Sequence, residues 1–142
     1  MRATITREMA ARRERTYTLD EARALVPQLR ALIVQLAVEQ GRLETAHAAL
    51  HDHLRGNGSS DHATETARHE RQVTDIRAGM AALLQHLEQL GVVLRDLDSG
   101  LCDIPAERDG QRIWLCWRLA DPELGWWHGT DEGFGNRRPL DR

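Results

Sequence analysis

Hydrophobic positions along the chain fall into two helical patterns followed by an alternating one. Ala22, Leu29, Leu36, Leu43 and Leu50 recur every seven residues, with Leu25, Leu32 and Ala46 between them. That spacing draws one apolar stripe along a helix reaching to about Arg55. Thr18-Leu19-Asp20-Glu21 opens it as a capping box, in which Thr18 and Glu21 satisfy each other's backbone amides. Pro27 lies inside the pattern and removes a backbone donor, so a kink or break is expected near Ala24, with Gly41 as a second weak point. Unbroken, residues 19–54 would span ~54 Å at the helical rise.

Arg55-Gly56-Asn57-Gly58-Ser59-Ser60 is a turn, and Asp61 is placed to cap the next helix. Val73, Ile76, Met80, Leu83, Leu87 and Leu90 then alternate by three and four, which predicts that this second helix runs to Leu90. Gly91 stands where a left-handed terminator belongs. Two helices joined by a short loop make an antiparallel hairpin whose apolar surface needs further cover. The C-terminal segment, a second subunit, or both must supply it.

From Val92 the period becomes two. Val92-Val93-Leu94 opens a strand, Asp98-Ser99-Gly100 turns it, and Leu101 to Ala106 form a second strand. Arg108-Asp109-Gly110 is a hairpin turn. In the third strand Ile113, Leu115, Trp117 and Leu119 face one way, and Arg112, Trp114, Cys116 and Arg118 the other. After Asp121-Pro122-Glu123-Leu124-Gly125 comes a short strand at Trp126-Trp127-His128. Residues 133–140 hold too much Gly and Pro for regular structure. The fold class is therefore α+β: a long antiparallel helical hairpin followed by a small antiparallel β-sheet of three to four strands. Residues 1–16 read as a flexible basic tail. Residues 17–142 read as one domain, with the hairpin over 17–91 and the sheet and C-terminal loop over 92–142.

Composition adds limits. The chain has 142 residues and a net charge of −3, and all 19 of its basic residues are Arg. The excess of Arg and Ala suggests a GC-rich bacterial coding sequence. The missing Lys has one physical consequence, since every cation is a planar fork suited to carboxylates, phosphates and aromatic faces. Residues 1–16 carry five Arg against two Glu, a local +3, whereas residues 88–132 carry ten acids against four Arg, a local −6. An acidic C-terminal half argues against a nucleic-acid surface there. No run of ~18 apolar residues offers a membrane span. With two cysteines and no secretory leader at the N-terminus, the expected compartment is the reducing cytoplasm.

Several short motifs in the second half carry a family resemblance. They are Asp98-Ser99-Gly100-Leu101-Cys102-Asp103-Ile104-Pro105, Leu115-Cys116-Trp117-Arg118, Trp127-His128, and Gly133-Phe134 with Arg137 and Pro139-Leu140. Together they resemble an uncharacterised bacterial family, domain of unknown function 2203, over about residues 17–140. The chain departs from the family pattern at Ala120-Asp121, at Ile104 and at Asn136. The resemblance implies the domain and assigns no reaction.

Candidate chemistry depends on the hairpin register. With Asp109 and Gly110 as its two loop residues, Asp103 lies opposite Cys116, Pro105 opposite Trp114, and Cys102 on the other face beside Trp117. A three-residue loop would instead set Cys102 against Cys116. In the two-residue register one face gathers Asp103, Trp114, Cys116 and Arg118, and His128 joins if the fourth strand pairs beside the third. Asp103, Cys116 and His128 are competent metal ligands, and three of them with an open position resemble a catalytic zinc site. A Cys116 thiolate activated by His128 is a second reading. The third is plain packing, the commonest fate of buried Cys and of a Trp-His pair.

Five of the six aromatics fall in residues 114–134, leaving only Tyr17 outside. Trp114, Trp117, Trp127 and Phe134 with Arg118 and Arg137 could line a site for a planar or anionic molecule. Alternatively, the last loop folds over the sheet, anchored by Phe134, with Arg137 paired to Asp96, Asp98 or Asp103. Six of the seven histidines lie at 47–86, and Glu44-x-x-His47 matches half of a di-iron bundle motif. No second Glu-x-x-His exists, so His47, His51, His53 and His62 read as a polar hairpin tip able to pick up stray zinc. The sequence thus supports a binding or interaction module that presents a Trp/Arg-rich sheet surface and self-associates through its hairpin. A metal-dependent or thiol enzyme using Asp103, Cys116 and His128 is the alternative.

Overall fold

The computed structural model describes residues 15–56 and 61–140. The expected basic tail, apart from its last residues, and the centre of the interhelical turn lie outside that range.

Helix α1 spans Leu19–Arg55. Its capping box is fully formed: the Glu21 amide donates to Thr18 Oγ1 at 3.1 Å, and the Thr18 amide donates to Glu21 Oε1 at 3.0 Å. Of the kink or break expected near Ala24, no break occurs. The helix passes through Pro27 and Gly41 as one element of 37 residues, about 55 Å long. One lost donor is outweighed by the buried stripe on its other face, where Ala22, Leu25, Leu29, Leu32, Ile33 and Leu36 enter the core.

Helix α2 spans His62–Gln89. Asp61 occupies its N-cap position, but its side chain makes no capping bond. The far end closes as a Schellman motif. Gly91 takes a φ of 76°, its amide donates to Glu88 O, and the Val92 amide donates to Leu87 O. Leu87 and Val92, both buried, supply the apolar contact of that motif.

Five strands follow: β1 (Val93–Asp96), β2 (Leu101–Arg108), β3 (Gln111–Trp117), β4 (Trp126–Gly129) and β5 (Arg138–Pro139). They form one antiparallel meander in the order β1-β2-β3-β4-β5. The fifth strand corrects the expectation of three or four strands with an irregular end. Pro139 suits this two-residue edge because an edge strand can leave one side of its ladder unpaired. The Leu140 amide then donates to Gly125 O at 2.8 Å.

The inner sheet face carries Cys102, Ile104, Ala106, Ile113, Leu115 and Trp117 into one core with the N-terminal half of α1 and the end of α2. Tyr17 joins that core and donates its hydroxyl hydrogen to Leu90 O. The outer half of the hairpin has only a small cluster of its own, Ala46, Val73 and Ile76. No helix is long and apolar enough to cross a membrane among the described residues.

Candidate functional site on the outer sheet face

Turn chemistry sets the site. Asp109 and Gly110 both take positive φ, 51° and 78°, the condition for a two-residue type I′ hairpin. The register is therefore the two-residue one, with Cys102 opposite Trp117, Asp103 opposite Cys116, and Pro105 opposite Trp114. On the next ladder Trp114 faces His128 and Cys116 faces Trp126. Asp103, Trp114, Cys116, Trp126 and His128 thus share the face turned away from the helices.

Three of these side chains converge. The ligand-capable atoms of Asp103, Cys116 and His128 all lie within 4.8 Å of one another, and all three residues are buried. His128 Nε2 stands 2.9 Å from Asp103 Oδ1, while His128 Nδ1 stands 2.8 Å from the Gly129 carbonyl oxygen. A carbonyl only accepts, so Nδ1 carries the hydrogen. The second carboxylate oxygen, Asp103 Oδ2, accepts from Arg95 Nε at 2.9 Å. Arg95 reaches it because β1 bulges there: Leu94 pairs with Cys102 and Asp96 with Leu101, leaving Arg95 as the extra residue.

Cys116 is fully buried, and burial, reinforced by the charge of Asp103, pushes its thiol up to about 11; Arg137 beside it opposes that shift. The thiol is protonated at neutral pH, which removes support from the reading of Cys116 as a nucleophile activated by His128. Cys102 lies on the opposite face with its thiol pushed up to about 12, chiefly by burial. The two cysteines are free.

Above Asp103 and His128 opens a pocket of about 420 Å³, walled by Arg95, Thr130, Asp131 and Phe134. Its roof is the final loop, which Asp121 ties down. Asp121 accepts from the Arg118 amide at 3.2 Å, from Arg118 Nε at 3.4 Å and from Arg137 at 3.3 Å. Arg137 therefore pairs with Asp121, not with Asp96, Asp98 or Asp103 as expected, because the β3–β4 turn brings Asp121 beneath the returning chain. Arg118 and Arg137 both stack on Phe134.

The Trp residues divide between the faces. Trp114, half-buried on the outer face, has Arg95 and Arg112 over its ring, each 5.5 Å from the centroid. Trp117 points inward and is wholly buried, with Arg30 against it, so it belongs to the core and not to a binding surface. Trp127 also faces inward, at the sheet margin between Arg108 and Arg138. Sequence reasoning missed Arg95 and Asp121. A bulge leaves no composition signal, and Asp121 stood out only as a departure from the family pattern.

The histidine-rich tip is a polar packing cluster. His53 stacks on His62 at 4.3 Å, tilts toward His69 at 5.0 Å, and hydrogen-bonds Thr66 Oγ1 at 2.8 Å. His47 contacts Arg77. Among the described residues, the only group of three or more metal-capable side chains is Asp103, Cys116 and His128.

Fold and site define a class: a helical hairpin half covered by a five-stranded meander, whose outer face buries an Asp-His-Cys cluster. The chain belongs to the uncharacterized conserved protein family DUF2203, whose family model matches residues 15–140. No curated protein and no solved structure matches it.

Proposed function

We propose that this protein is a small binding module that takes a planar anionic small molecule on the outer face of its sheet. The observation that carries this reading is the aromatic-guanidinium array. Arg95 and Arg112 each place a guanidinium over the Trp114 ring, 5.5 Å from its centroid. A half-buried ring with two forked cations over it suits a flat ligand bearing a carboxylate or phosphate. Arg95 also walls the pocket above Asp103, so one side chain borders both the ring and the cavity.

Tryptophan fluorescence titrated with aromatic carboxylates and nucleoside monophosphates tests the reading. Saturable quenching that weakens at least tenfold in both Trp114→Ala and Arg112→Ala is the expected result. No saturable change at millimolar ligand overturns it.

A cytoplasmic location is supported by the two free, buried cysteines. Self-association through the hairpin is supported by the outward side of α1. There Ala31, Val34, Val38, Gly41, Thr45 and Ala48 follow one another at steps of three and four, all exposed and none charged.

A further inference from the structure

We propose that Asp103, Cys116 and His128 bind one divalent transition-metal ion, zinc by the chemistry of the donors. The proposal stands on residues other than Trp114 and Arg112, and it holds or fails separately from the planar-anion reading.

The His128–Asp103 contact is the first support. Nδ1 already donates its hydrogen to the Gly129 carbonyl at 2.8 Å. A neutral ring then turns the lone pair of Nε2 toward Asp103 Oδ1, an acceptor only 2.9 Å away. Two acceptors at that distance attract each other only with a proton or a metal cation between them. The third donor makes the metal the fuller account. A proton would satisfy the His-Asp contact alone, whereas a metal also uses Cys116 Sγ, which lies within the same 4.8 Å cluster.

Geometry and outer partners agree. Zinc bonds of about 2.0–2.3 Å to N, O and S place tetrahedral ligands about 3.3–3.6 Å apart, a spacing reached from these positions by small side-chain shifts. Each ligand also has a partner that fixes its orientation: Arg95 for Asp103, the Gly129 carbonyl for His128, and Arg137 for Cys116. Outer contacts of this kind set ring orientation and ligand charge in metal centres. The register holds the three donors on adjacent antiparallel strands, which is a rigid frame.

Donor type selects the ion. Sulfur, imidazole nitrogen and a single carboxylate disfavour calcium and magnesium and favour zinc among available borderline ions. On binding, the Cys116 thiol releases its proton to solvent as the sulfur–metal bond forms. The two anionic ligands then balance the divalent charge. Asp103 and His128 both border the 420 Å³ pocket, so a fourth coordination position opens toward it.

Untagged full-length protein, stripped with chelator and reloaded with zinc or cobalt(II), provides the test. One equivalent of either metal is expected after removal of excess. The cobalt form should show a thiolate-to-cobalt charge-transfer band with the strong visible absorption of tetrahedral coordination. Cys116→Ala should abolish that band, while Cys102→Ala, on the other sheet face, should keep it. Arg137→Met should weaken zinc binding 10–100-fold by chelator competition. A wild-type protein that retains no metal at micromolar concentration overturns the proposal. So does cobalt that binds without the sulfur band and is lost in His53→Ala, which would place the ion at the hairpin tip. The wild-type readings decide the matter even if a variant fails to fold.

Discussion

Asp103 and His128 stand on β2 and β4, strands that never pair, yet their side chains meet at 2.9 Å across β3. The contact links three strands of the meander through one carboxylate, whose second oxygen holds Arg95 of β1. Removing the carboxylate leaves His128 buried beside an empty position and releases Arg95. Asp103→Ala in metal-free protein should cost about 3–5 kcal/mol, the range for breaking a buried charged pair from one side. Asp103→Asn keeps a hydrogen-bonding oxygen and should cost less. Urea unfolding followed by tryptophan fluorescence measures both; equal losses would show that shape, not charge, matters there.

Alkaline stability should carry the mark of the two buried thiols. Both sit above the ordinary thiol value of 9.0, Cys116 at about 11 and Cys102 at about 12. Burial disfavours the thiolate in the fold, so the unfolded chain loses its thiol protons first. Their contribution is fully present below about pH 9 and is lost as pH climbs toward 11 and 12. The slope is at most ~1.4 kcal/mol per pH unit per thiol. Tyr17, also raised by burial, acts in the same direction. Cys102→Ala should flatten the decline seen in urea midpoints between pH 9 and 11 with chelator present; an unchanged slope would deny the thiol its part.

How much of this was legible in the chain differs by element. The two helices and the Asp109-Gly110 hairpin were readable because local chemistry decides them: seven-residue periodicity, a Thr18–Glu21 box, a Gly91 terminator, and a turn that tolerates positive φ. That single turn carried the register, and the register carried Asp103 to Cys116. No break opens at Pro27, because burial of Leu25 and Leu29 outweighs one missing amide. β5 was missed because its two residues pair through tertiary placement and not through any pattern of their own. The Arg95 bulge and the partnership of Arg137 with Asp121 depend on where strands and loops end up in space, which residue spacing does not encode.

Two glycines separate backbone strain from crowding. Gly100 and Gly110 have similar positive φ, 69° and 78°. A Cβ at Gly110 would meet nothing within 4 Å, whereas one at Gly100 would lie 2.4 Å from Leu119 Cγ and 3.1 Å from Ile33 Cγ2. Gly110→Ala should therefore cost about 1–2 kcal/mol, the penalty of left-handed backbone alone. Gly100→Ala should cost at least about 1 kcal/mol more, since Leu119 must shift against the core. Thermal unfolding of the pair checks the difference; equal midpoints would mean that the Leu119 contact relaxes freely.

Helix α1 carries apolar residues on two opposite sides. Its inner stripe is in the core, and its outer stripe leaves Val34 48% and Val38 56% exposed. Isolated exposed valines need no explanation, but six successive uncharged positions at heptad spacing match the seam of a paired helix. If two copies join there, light scattering at high concentration should give twice the 16.1 kDa chain mass. Val34→Glu and Val38→Glu place charges in the middle of that seam and should return the mass to a single chain. Because both sites are exposed, their unfolding free energies from urea titration at low concentration should stay within about 0.5 kcal/mol of wild type. A wild-type protein that scatters as a single chain at high concentration would leave the outer stripe as ordinary surface.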